Sequence, residues 1–157
     1  MPVKGQQSIV DAVQLREKGI VMTEFTILNA QSGGWKVLST ILLGEVIIGP
    51  AEDALMFNIT TPGHPLWSGL PASFTTSKPM FYSWLAAFPF GKIQLISTID
   101  LDDLGASAGV IARADEDVGR IVQLAHAAHY APGFDWNDDE NITRMMINAI
   151  RWVAKLI

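Results

Sequence analysis

The sequence predicts an α/β domain: a mostly parallel sheet flanked by helices, with an antiparallel excursion near the carboxyl terminus. Three observations predict it. Hydrophobic residues make up 49% of the 157 positions and charged residues only 17%, a balance that suits a sheet covered on both faces. Short uncharged runs at 19–22 and 121–125, the second opened by Gly119-Arg120, lead into polar residues, Thr23-Glu24 and His126. Amphipathic helical patterns stand at both ends of the chain. Length and patterning together describe one domain, 1–157, with one sizeable core.

Ser8 is the expected N-cap of a first helix carrying Ile9, Val10 and Val13, and Lys18-Gly19 its basic last turn and left-handed stop. Strand 19–22 follows, and then a break at Gln31-Ser32-Gly33-Gly34. Trp35, Val37, Leu38, Ile41 and Leu42 have the spacing of a short second helix ending near Gly44. The β-branched run 46–48 reads as a strand, Gly49-Pro50 as a loop and 55–59 as another strand. Residues 60–71 form a Pro/Gly-rich loop, and 74–90, limited by Pro79 and Pro89, reads as loop with short extended pieces.

Three further strands are expected at 93–99, 108–112 and 120–125, with turns at 102–105 and 115–117. No helix is available to cross between the last two, which predicts an antiparallel pair. Asn137 and Glu140 have capping-box spacing, with Asp138 and Asp139 favouring the helix's positive end. The closing helix then places Ile142, Met146, Ala149, Ile150, Val153 and Ile157 on one stripe.

Net charge is −5, and no cluster of Lys or Arg exists to neutralise phosphates. Nucleic acid and anionic membranes are therefore excluded as expected partners. There is no cysteine, so no disulfide, thiolate metal site or cysteine nucleophile is available. The most apolar run, 41–49, is broken by Glu45 and is too short to span a bilayer. A cytoplasmic protein is the expectation.

Polar residues at the carboxyl ends of strands are where α/β folds place chemistry. Glu24 and His126 fall there, with Thr23 beside them, and are the candidate catalytic groups. His129, Tyr130, Trp136 and His64 are candidates for contact with a substrate. Glu24, His126 and His129 together offer one carboxylate and two imidazoles, a set suited to zinc, although a hydrogen-bonded rim without metal is the plainer reading and no metal is assigned. His64, preceding a proline in a rigid loop, also has an architectural reading in which it locks the loop by bonding a backbone carbonyl. Phe81, Tyr82, Trp84, Phe88, Phe90, Tyr130 and Trp136 form an aromatic set whose faces suit sugar rings, a core or another subunit.

Four segments carry a family resemblance. They are Lys18-Gly19-Ile20-Val21-Met22-Thr23-Glu24 with Leu42-Leu43-Gly44, then His64-Pro65-Leu66-Trp67-Ser68-Gly69-Leu70-Pro71 with Phe74, then Gly119-Arg120-Ile121-Val122 with His126, and finally Asn148-Ala149-Ile150-Arg151-Trp152. In this order they resemble the ThuA-like family, named after trehalose utilisation, within the flavodoxin-like, class I glutamine-amidotransferase-like fold. The resemblance implies a link to carbohydrate metabolism, with a small carbohydrate as ligand, and neighbouring strands at 20–22 and 120–125.

Two departures matter. The family opens with further strands and helices, so this chain reads as a short form, a fragment, or a protein whose open sheet edge is completed by another subunit, which predicts a homo-oligomer. The amidotransferases place cysteine at the elbow, where this chain has Met22-Thr23-Glu24, which removes glutaminase chemistry by thioester and leaves Thr23 as the hydroxyl alternative. Two readings stay open: a carbohydrate-linked domain with a polar site at the sheet's carboxyl edge, and a non-catalytic binding or assembly module.

Overall fold

The computed structural model describes residues 1–15, 17–89, 91–101, 105–115, 118–127 and 136–157. Helix α1 (Val3–Gln14) leads into β1 (Ile20–Met22), and α2 (Glu24–Ser32) follows directly. A 3-10 turn at Lys36–Ile41 precedes β2 (Gly44–Asp53) and β3 (Met56–Ile59). Then come β4 (Ser73–Thr75), β5 (Met80–Ala87), β6 (Ile93–Leu101), β7 (Gly105–Arg113), β8 (Ile121–Leu124) and the closing helix α3 (Glu140–Val153).

Six strands form one sheet in the order β1-β8-β7-β6-β3-β4, and β2 pairs with β5 in a separate ribbon. The sheet is mixed, α/β and flanked by helices, but the expectation that it is mostly parallel is corrected. Among the described residues only β1 and β8 run parallel; β8–β7, β7–β6, β6–β3 and β3–β4 are antiparallel. A parallel connection needs a crossover of a dozen or more residues, usually a helix. Among the described residues, all α-helices lie before residue 33 or after residue 139, so the middle of the chain can only fold back on itself.

Several boundaries also move. The first helix begins at Val3 behind Pro2, not at Ser8, and its exit uses left-handed Glu17 (φ 52°) in place of Gly19. Helix α2 was not legible because its buried positions are Glu24, Ile27 and Ala30, too few apolar residues to make a stripe. Residues expected as a second helix make only the 3-10 turn. Strand β2 runs straight through Gly49-Pro50, with register irregularities between Val46 and Ala51 that accommodate them. The stretch read as loop between 74 and 90 contains the eight-residue strand β5, so Phe81, Tyr82 and Trp84 are strand residues. Pro79 sits just before that strand and Pro89 just beyond it, where neither removes a ladder bond. The turns expected at 102–105 and 115–117 fall largely outside the described residues.

Helix α3 is capped by Asp139, not Asn137. One Asp139 carboxylate oxygen accepts from the Asn141 and Ile142 amides at 2.9 and 3.0 Å, and the other from Ser77 N–H at 2.8 Å. Burial pushes this carboxyl up, yet the bonds from Ser77, Ile142 and Asn141 outweigh it and hold it below 3.8. The stability it contributes is thus present above that value and lost as pH falls through the lower folded one. Asp139→Ala is expected to lower stability by about 2 kcal/mol in urea unfolding, because it removes the cap and strands Ser77 N–H. Asp139→Asn should retain most of it. The stripe of α3 buries Ile142, Met145, Met146, Ala149, Trp152 and Val153, whereas Ile150 is half exposed.

Candidate functional site

Strands β1 and β8 lie side by side with Ile20 opposite Ile121 and Met22 opposite Gln123. Each chain therefore leaves the sheet at the same edge, one into Thr23-Glu24 and the other into Ala125-His126. The backbone ties them there: Glu24 N–H donates to the His126 carbonyl at 3.2 Å. Beyond β8 the chain turns onto β5, with Ser83 N–H donating to the Ala125 carbonyl (3.0 Å) and Ala127 N–H to the Phe81 carbonyl (2.8 Å). Three elements thus meet around one point.

Ser83 Oγ donates to Glu24 Oε1 at 2.6 Å. Glu24 Oε2, both ring nitrogens of His126 and Ser97 Oγ have no protein partner among the described residues. Glu24, Ser83, Ser97 and His126 are all fully buried. The expected rim is therefore an interior cluster, because β5 and Phe57 close over it; the Phe57 ring meets the imidazole edge-on at 5.9 Å. Burial raises the Glu24 carboxyl above 4.5, partly opposed by the Ser83 bond. Burial also pushes His126 down to about 4, and the nearby Ala127 backbone offsets part of that shift without reaching hydrogen-bond geometry. At neutral pH the imidazole is uncharged.

Thr23 begins α2 as its N-cap and is half-buried, with no side-chain bond to the helix. No hydrogen bond joins its hydroxyl to His126, so a Thr–His nucleophile pair is not formed. His64 lies at the opposite edge of the sheet: β3 runs antiparallel to β6 and ends at Ile59, towards the edge where β8 begins. Its Nδ1 accepts from Leu66 N–H at 3.2 Å, so it does lock its loop, as an acceptor from an amide and not as a donor to a carbonyl. Trp136 opens the 3-10 turn before α3, partly buried against the core. His129 and Tyr130 lie outside the described residues, as does Phe90. Among those described, no three His, Asp or Glu gather closely enough to hold a metal.

Three residues in or around the cluster were not legible as site residues. Ser83 lay in the stretch read as loop. Gly49 makes room for it: a Cβ there would stand 2.8 Å from Ser83 Cβ, so an alanine would displace the hydroxyl that bonds Glu24. Gln123, buried in β8, accepts from Leu43 N–H at 2.8 Å and donates to the Gly44 carbonyl at 3.1 Å, tying the ribbon to the sheet.

No protein-family model and no curated protein matches the sequence. Solved structures do match. A ThuA-like protein from Bacteroides uniformis superposes with TM-score 0.65 at 16% identity, over 94% of this chain and 62% of that one. A ThuA-like protein from Parabacteroides merdae gives 0.65 at 15%, over 98% and 66%. The fold is that of the ThuA-like proteins. The ThuA-like fold also occurs within a larger chain, since β-galactosidase from Bacillus circulans sp. alkalophilus matches with TM-score 0.59 at 10% identity, over 94% of this chain and 20% of that one. This chain spans just over three fifths of the length of the ThuA-like proteins it matches. No described helix is long and apolar enough to cross a membrane.

Proposed function

We propose that this is a carbohydrate-linked domain of the class I amidotransferase-like, flavodoxin-like kind, whose polar site is Glu24 and His126, with Ser83 and Thr23 beside them. The observation that carries the reading is the set of unpartnered atoms, Glu24 Oε2 and both His126 nitrogens. A buried polar atom without a partner costs about 1–3 kcal/mol, and sites that retain such a cost are disproportionately functional.

Burial favours the neutral form of both groups, moving the carboxyl upward and the imidazole downward. Glu24 and neutral His126 are then the proton-transfer groups for a small carbohydrate that is admitted when β5 and Phe57 part. With no cysteine, a thioester route is closed. The ThuA-like neighbours and the match inside a β-galactosidase support the carbohydrate class. Strand β1, paired on one side only among the described residues, supports a homo-oligomer formed at that edge.

The test is a thermal-shift screen of wild type, Ser83→Ala and His126→Gln against mono- and disaccharides and divalent metals, with chelator controls. A stabilisation of several degrees that disappears in His126→Gln is expected. A shift of equal size in all three proteins, or none with any sugar, contradicts the reading.

A further inference from the structure

The opposite edge of the sheet carries a cavity of about 740 Å³ that has no part in the Glu24 cluster. Its apolar wall is built by Ile59, Trp67 and Leu70, and its polar side by His64, Asn148 and Arg151. Two of these polar residues, His64 and Asn148, are held in place by their neighbours. Because His64 Nδ1 accepts from Leu66 N–H, the ring's proton belongs on Nε2, which leaves a neutral donor. Its ring packs at 5.3 Å on Trp152, itself covered at 4.9 Å by the Arg120 guanidinium. Asn148 Nδ2 donates to the Leu66 and Ser68 carbonyls at 3.2 and 2.9 Å, fixing the loop to α3.

Charge is the second observation. The chain is acidic overall, yet Arg120, Arg144 and Arg151 gather at this edge. Arg144 and Arg151 form no ion pair among the described residues. Arg120 spends its bonds on the Trp152 and Ile157 carbonyls. Arg144 rests near Gly69 and lines a groove that shares Asn148 and Arg151 with the cavity and has Glu140 as its one carboxylate. Unneutralised guanidinium groups beside an apolar wall are suited to a ligand with an anionic group and a ring.

We infer that this cavity binds a small anionic sugar, a sugar phosphate or a sugar acid, with Arg151 holding the anionic group. Trp67, Leu70 and Ile59 meet the C–H face of the ring, and His64 Nε2–H and Ser68 reach its hydroxyls. The ligand class rests on the carbohydrate reading above; the site does not.

Calorimetric titration at fixed salt with glucose 6-phosphate, glucuronate, glucose and inorganic phosphate tests it, using wild type, Arg151→Gln and His126→Gln. Arg151 is exposed, so its substitution leaves the fold intact, which a melting curve verifies. Glucose 6-phosphate or glucuronate should bind wild type and His126→Gln equally, at least tenfold more weakly to Arg151→Gln, and tenfold more tightly than glucose or phosphate. The phosphate and carboxylate probes tell the two sources of charge apart. Binding that survives Arg151→Gln, binding of inorganic phosphate as tight as that of the sugar phosphate, or no binding overturns the inference. Loss in His126→Gln alone moves the ligand to the Glu24 cluster.

Discussion

Acidifying the protein from pH 7 to pH 4 should remove about 3 kcal/mol of stability through His126 alone. The folded imidazole stays neutral down to about 4, while the unfolded one takes up a proton below 6.5. Between those values the unfolded state binds more protons, so stability rises with pH across the window and is lost as pH falls through it. At about 1.4 kcal/mol per pKa unit the full difference is about 3 kcal/mol. Glu24 acts with the opposite sign. Its folded carboxyl is raised above 4.5, so the folded state binds more protons there and stability falls as pH climbs towards the raised value. Urea unfolding at pH 7 and pH 4 should show His126→Phe losing about 3 kcal/mol less than wild type on acidification. Equal losses would mean that the imidazole is charged and solvated in the folded protein.

Gly119→Ala should be the most destabilising single methyl in the chain. Gly119 stands just before β8, where its N–H donates to the Val13 carbonyl at 2.7 Å. A Cβ there would overlap the Lys18 carbonyl oxygen and lie 2.5 Å from its carbon. Both obstacles are backbone, one residue from the start of the β1 approach, so relief requires prising apart the pair of parallel strands that brings Glu24 to His126. A cost of about 3 kcal/mol or more is expected, which for a chain of this size lowers the melting temperature by about 6–12 °C. Gly34→Ala, where an added Cβ meets nothing within 4 Å, is the control and should change little. A Gly119→Ala melting curve that matches wild type would show that β1 and β8 are not held at this spacing.

The parts of this fold that the sequence made legible are those with strong local patterning. Strands β1, β6, β7 and β8 and helix α3 carry dense apolar runs or an amphipathic stripe, and the absence of a helix between β7 and β8 was enough to pair them antiparallel. Glu24 and His126 were found because both follow buried runs, which strand order then made neighbours. What stayed hidden depends on contacts distant in sequence. Helix α2 is short and begins with a buried carboxylate, so no stripe announces it. Strand β5 alternates aromatic, small and aliphatic residues between two prolines, and its strand character comes from pairing with β2, 27 to 43 residues earlier. Ser83 enters the site only through that pairing. Burial of the cluster was illegible for the same reason, since Phe57 and β5 arrive from elsewhere in the chain to cover it.

The central claim is that His126 is an uncharged imidazole sealed beside a raised carboxyl at the carboxyl edge of β1 and β8. A proton–nitrogen NMR titration of the histidine rings from pH 8 to pH 4 tests it most directly, with His126→Gln assigning the resonance. The account predicts that His126 stays neutral until the acid end of that range, where it reaches its midpoint at about 4. A midpoint near 6.5, the value of an exposed ring, would contradict the sealed cluster and with it the acid–base pairing assigned to Glu24.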